Sequence, residues 1–111
     1  MEATIDKIYK ILHGNIVTPY NLIENSKLDN YAYVKYHKKN DTLVTEMECV
    51  CEDGAKRKFF YEFNLEDVLL KITSLDSDGR DEVVFDRERE LEELLQQYRL
   101  EKNFRLSRGA V

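Results

Sequence analysis

Histidine and cysteine are the side chains to look for first, because proton transfer and thiol chemistry near neutral pH depend on them. The chain has two of each: His13, His37, Cys49 and Cys51. His13 falls where a helix ends, a place where an imidazolium gains from the helix dipole, and His37 falls near a hairpin tip on the outward side of a strand. Neither stands among residues that would make a proton-transfer set. There is also no glycine-rich phosphate loop, no His-Glu-x-x-His and no serine elbow. No catalytic residue and no cofactor are expected. Cys49 and Cys51 alternate onto one face of a strand, but a structural zinc asks for four Cys or His ligands and the inward neighbours are apolar, so the pair reads as inert thiols. Residues 74–79 resemble the middle of a calcium loop, with Asp76 and Asp78 in ligand positions. Phe85 stands where the bidentate Glu belongs, however, so the segment reads as a hairpin turn and no metal site is expected.

A second set mixes aromatics with bases: Tyr31, Tyr33, Lys35, Lys38, Lys39, Lys56, Arg57, Lys58 and Phe60. Sheets that bind single-stranded nucleic acid combine these types, since bases stack on rings while cations follow the phosphates. Tyr33, Lys35, Lys58 and Phe60 form the candidate nucleic-acid face. Two features weaken it. Residues 56–63 lack the small positions that let a base approach an RNA-recognition strand, and the strand registers derived below put Glu46 opposite Lys35 and Glu48 between Tyr33 and Lys58. A solvated outer face is therefore expected, with nucleic-acid binding as the alternative.

The carboxylates are concentrated. Residues 64–86 hold Glu66, Asp67, Asp76, Asp78, Asp81, Glu82 and Asp86 against Lys71 and Arg80, and residues 87–98 add Glu88, Glu90, Glu92 and Glu93 against Arg87 and Arg89. The 64–98 region thus nets −7 within a chain of net charge −5, which leaves +2 for the remainder. Such polarity can steer a basic partner. Asp78, Asp81, Glu82, Glu88, Glu92 and Glu93 are the candidate partner-binding residues. Turn chemistry and the helix dipole also account for several of these acids.

Hydropathy periods then indicate what positions these residues. Ile5, Ile8, Tyr9 and Leu12 follow a helical spacing after a possible N-cap at Thr4 and before Gly14, predicting a helix over residues 4–13. Residues 15–30 read as a long connection, with Tyr20, Leu22, Ile23 and Leu28 available to tuck under the fold. The period then becomes two, giving strands over 31–39, 42–51 and 56–63. A two-residue loop at 40–41 sets Val34 opposite Met47 and Tyr36 opposite Thr45. A three-residue loop at 52–54 sets Met47 opposite Phe59 and Leu43 opposite Phe63. Residues 64–86 fit either a helix or two more strands. A four-residue loop at 64–67 would set Phe63 opposite Val68 and Phe59 opposite Ile72, and a 77–79 loop would set Ile72 opposite Val84. One apolar row would then run through Val34, Met47, Phe59, Ile72 and Val84, and that agreement favours the strands. After Asp86 as N-cap, Leu91, Leu94, Leu95 and Tyr98 mark an amphipathic helix to about 102, with a core face expected and a dimer face as the alternative.

The expectation is an α+β fold: an antiparallel β-meander of about five strands with an N-terminal and a C-terminal helix packed on one face. The alternative is a three-stranded sheet with three helices. Length and composition agree with one domain over 1–103 and a tail over 104–111, since 111 residues suit a single core. The chain is 42% hydrophobic and 35% charged, which points to a compact and highly soluble domain. No run of apolar residues suits a signal peptide or a membrane span. Two cysteines make no disulfide framework, which points to a reducing, cytoplasmic setting. The function expected is a non-enzymatic protein acting through protein–protein interaction, as a regulator, inhibitor or accessory subunit. A small-ligand pocket lined by Met47, Tyr61 and the two cysteines is a third possibility.

Overall fold

A computed structural model of the chain describes residues 2–13 and 17–109, with side chains over 3–11 and 17–104. A helix α1 (Glu2–His13) precedes a short helix α2 (Pro19–Leu22) that runs into a 3-10 turn (Ile23–Lys27). Strands β1 (Tyr31–Lys39), β2 (Thr42–Val50), β3 (Lys56–Phe63), β4 (Leu69–Asp76) and β5 (Asp81–Asp86) follow, and then helix α3 (Arg87–Gly109). The strands form one antiparallel sheet in chain order. This is the expected α+β fold with a five-stranded meander and terminal helices. Because residues 69–76 are strand, the three-stranded alternative is not favoured. The chain divides into two compact units, one of residues 16–86 and one of residues 1–15 with 87–111.

In the sheet unit, loop chemistry sets the register. The β1–β2 hairpin turns through Asn40 at φ 55, a left-handed conformation that Asn tolerates. Its pairs include Val34 with Met47 and Tyr36 with Thr45, as the loop length predicts. The β2–β3 hairpin closes where Cys51 N–H donates to the Ala55 carbonyl at 2.8 Å, with Gly54 at φ 80. Met47 then faces Phe59 and Leu43 faces Phe63, again as predicted.

The third hairpin corrects the expectation. Asn64 N–H donates to the Val68 carbonyl at 3.0 Å, so the loop has three residues rather than four. Asp67 takes the left-handed place at φ 66 that glycine holds in the other three-residue loops. Asn64 Oδ1 accepts from the backbone N–H groups of Glu66 (2.8 Å) and Val68 (3.1 Å), fixing the turn. Register irregularities beside Phe63 and beside Thr73 then shift the pairing. Phe59 faces Ser74, and the row predicted through Ile72 and Val84 is replaced by Tyr36, Thr45, Tyr61, Ile72 and Phe85. Val84 is 53% exposed.

The inner face of the sheet has its cover within the same unit. Leu22 of α2 packs with Met47, Phe63 and Leu69 in a buried cluster, and full burial of each such side chain contributes about 1.5–3 kcal/mol. Pro19 sits at the first position of α2, where its fixed φ suits a helix start. Asn21 Oδ1 accepts from Thr18 N–H and Thr18 Oγ1, both at 2.9 Å. Tyr36 Oη donates to the Pro19 carbonyl at 2.7 Å, and Asn25 Nδ2 donates to Met47 Sδ at 3.6 Å. Of the four side chains expected to tuck under the fold, Leu22 alone is buried, while Tyr20, Ile23 and Leu28 are exposed.

In the helix unit, α1 and α3 lie side by side, and polar contacts decide which face of α1 is covered. Thr4 is a buried residue inside α1 rather than its cap. Its Oγ1 donates to Glu101 Oε1 at 3.1 Å and accepts from Gln97 Nε2 at 3.2 Å. Arg87 Nη2 donates to the Ile11 carbonyl at 2.8 Å. Contact near Thr4 at residues 97–101 and near Ile11 at residue 87 makes the pair antiparallel. Thr4, Ile8 and Ile11 therefore face inward, and the expected Ile5 and Tyr9 are exposed. Helix α3 extends past the expected end near 102 and takes in most of the predicted tail, because residues 103–108 contain neither proline nor glycine to stop it. The C-terminal signal expected at Gly14 and the side chain of His13 lie outside the described residues.

Candidate functional site

The first two hairpin registers assemble the outer face of the sheet. Tyr33 pairs with Glu48 and Lys35 with Glu46 across β1–β2, and Glu48 pairs with Lys58 and Glu46 with Phe60 across β2–β3. Tyr33, Lys35, Lys58 and Phe60 are thus brought together on one face, with two glutamates interleaved as the loop lengths predict. Tyr33 Oη donates to Glu46 Oε2 at 2.5 Å, and Lys35 Nζ lies 3.5 Å from the same oxygen and 4.7 Å from the centroid of the Tyr33 ring. The hydrogen bond to Glu46, helped by burial and by the glutamate charges, pushes the Tyr33 phenol up to about 12. The same bond, with the Lys35 and Lys58 charges, holds the Glu46 carboxyl below its ordinary range.

A phosphate backbone crossing this face would meet a carboxylate that already engages the tyrosine and one of the lysines. Lys35 is 61% exposed, so its ion pair contributes only about 0–1 kcal/mol. The larger effect is the negative charge itself, placed among the cations where a phosphate would have to pass.

The acidic candidates fall into two groups. Asp78, Asp81 and Glu82 lie on the β4–β5 hairpin, in the sheet unit, while Glu88, Glu92 and Glu93 lie along the first turns of α3, in the helix unit. Asp76 holds the hairpin: its Oδ1 accepts from Asp78 N–H at 3.0 Å and Arg80 N–H at 2.9 Å, and Gly79 supplies a left-handed φ of 83. The segment that resembled a calcium loop is therefore this turn. All six candidate carboxylates are exposed, and none is in an ion pair or side-chain hydrogen bond among the described residues. No protein-family model, curated protein or solved structure matches the chain.

Cys49 is buried and Cys51 half-buried, and neither is in a disulfide. Burial, and then the neighbouring Cys51, push the Cys49 thiol up, which keeps it protonated and unreactive at neutral pH. Among the described residues no group of three or more His, Cys, Asp or Glu side chains is placed to hold a metal ion. His37 is exposed on β1. Met47, named as a side chain that could line a small-ligand pocket, is 1% exposed and packs against Leu22, Phe63 and Leu69.

One surface escaped the sequence reading. Pro19, Tyr20, Ile23, Tyr36, Leu43 and Asp67 line an open, mainly apolar groove of about 370 Å³. Its signal was local: Thr18 and Pro19 followed by Asn21 is a helix start, and a helix there lays Tyr20 and Ile23 beside β1. Among the described residues no helix is long and apolar enough to cross a membrane.

Proposed function

We propose that this protein acts by protein–protein contact, offering the acidic 64–98 region to a basic partner, as a regulator, inhibitor or accessory subunit with no catalytic step of its own. The observation that supports this reading is the contrast between the two candidate surfaces. On the outer face, Lys35 and Tyr33 are engaged by Glu46, whereas Asp78, Asp81 and Glu82 stand exposed on a hydrogen-bonded hairpin and are in no ion pair among the described residues. Uncommitted carboxylates on a fixed turn can steer a cationic protein surface and then pair with it without first breaking contacts of their own. A cytoplasmic setting, in which Cys49 and Cys51 stay reduced, belongs to the same proposal.

The test is affinity capture from the native host with the intact chain, run beside a D78N/D81N/E82Q chain, with the bound protein identified by mass spectrometry. The expected result is a partner with a basic surface that is retained at low salt, released at high salt, and captured at least about tenfold less well by the neutralised chain. A partner held equally at high salt, or one lost only when Lys35 and Lys58 are reversed in charge, contradicts the proposal.

A further inference from the structure

The two edges of the sheet carry opposite charge. β1 and β5 each have a hydrogen-bonded neighbour on one side only, so each offers along its other side the N–H and C=O groups that an added strand would pair. β1 contains Lys35, Lys38 and Lys39 and no carboxylate, while β5 contains Asp81, Glu82 and Asp86 and no Lys or Arg. Lys38, Lys39, Asp81 and Glu82 are all exposed, and their side chains make no ion pair or hydrogen bond among the described residues. Val83 and Val84 are also exposed on β5, at 37% and 53%. β-Branched residues suit a strand with neighbours on both sides, and this edge lacks the lysines and prolines that usually guard an exposed one.

We propose that β5 of one molecule accepts β1 of a second copy as an added strand. The charges select this pairing over the alternatives. Two β1 edges bring lysines together and two β5 edges bring carboxylates together, whereas the mixed pair sets lysines against carboxylates. Added antiparallel, the incoming strand sets its Lys38–Lys39 end against the Asp81–Glu82 end of β5. The contact is heterologous, so each added copy leaves one edge of each kind free, and assembly proceeds head to tail with concentration rather than stopping at a closed dimer. It requires no other species, so it stands or falls separately from the basic-partner reading.

Sedimentation equilibrium of the intact chain over about 5–500 μM tests it, at about 50 mM and about 1 M salt, where the screening length falls to roughly 3 Å. The expected result is a weight-average mass that rises with concentration at low salt, with association at least about tenfold weaker at high salt. K38E/K39E and D81K/E82K each abolish the rise, and mixing the two variants, or combining all four changes in one chain, restores it. Far-UV circular dichroism identifies any variant that fails to fold, in which case the salt series on the unaltered chain decides alone. A chain that stays monomeric at low salt overturns the proposal. So does association that is indifferent to salt or to the charge reversals, or a mixture that fails to restore it.

Discussion

Tyr33 and Glu46 show how much one pair of side chains settles on this protein. A phenol that donates to a carboxylate favours its own protonated form and the ionised form of its acceptor, which is why the two groups shift in opposite directions. The stabilisation from Tyr33 is fully present below its ordinary value of 10.0 and is lost as pH rises through about 12. That from Glu46 is present above its ordinary value of 4.5 and is lost as pH falls through its lowered native value. E46Q removes both, and ultraviolet titration of the tyrosines will show one phenol returning from about 12 toward 10.0; a titration curve unchanged by E46Q contradicts the pairing. Thr45 gives a second prediction at this scale. It is fully buried, and its Oγ1 has no hydrogen-bond partner among the described residues. An unpartnered buried hydroxyl opposes folding, so T45V is expected to raise stability by about 1 kcal/mol in urea unfolding, and a loss would show that the hydroxyl is satisfied.

The elements explain which parts of the fold were legible in the sequence. The first two hairpins were readable because their loops hold Asn40 and Gly54 in left-handed positions, and residue type announces that conformation. The third was misread by one residue because an aspartate, Asp67, does the same work at φ 66. The remaining errors arose at the apolar doublets Leu69–Leu70 and Val83–Val84, next to the register irregularities. An inserted residue leaves no trace in the alternation when both neighbours are apolar. The candidate nucleic-acid face at Tyr33, Lys35, Lys58 and Phe60 was legible because it rests on the regular part of the first two hairpins, but Tyr31 was not, because a register irregularity between Tyr31 and Tyr33 pairs it with Cys49 and it packs against the core. The groove at Pro19 and Tyr36 was not, because it depends on one turn of helix inside a segment with no clear period. The loops yield a paired prediction: D67G is expected to stabilise by about 1 kcal/mol, relieving a left-handed side-chain residue, and G79A to destabilise by a similar amount at φ 83. Urea unfolding of both variants checks it, and equal losses would contradict it.

For the whole molecule, the net charge of −5 conceals an uneven distribution. The cations of the sheet's outer face share it with glutamates, whereas Asp78, Asp81, Glu82, Glu88, Glu92 and Glu93 are exposed and in no ion pair among the described residues, and the 64–98 region carries a net −7 against +2 elsewhere. A labelled single-stranded oligonucleotide is accordingly expected to remain unbound at low salt with the chain at tens of micromolar, a concentration within the roughly 1–100 μM range of non-specific dissociation constants. Binding that K35E and K58E abolish would reverse the assignment of the two faces. The most direct measurement is a map of backbone amide NMR shifts on adding the captured basic partner. Perturbations are expected to concentrate at Asp78, Asp81, Glu82, Glu88, Glu92 and Glu93 and to fade as salt is raised. Perturbations centred instead on Tyr33, Lys35, Lys58 and Phe60, or a pattern that salt leaves unchanged, would contradict the proposed function.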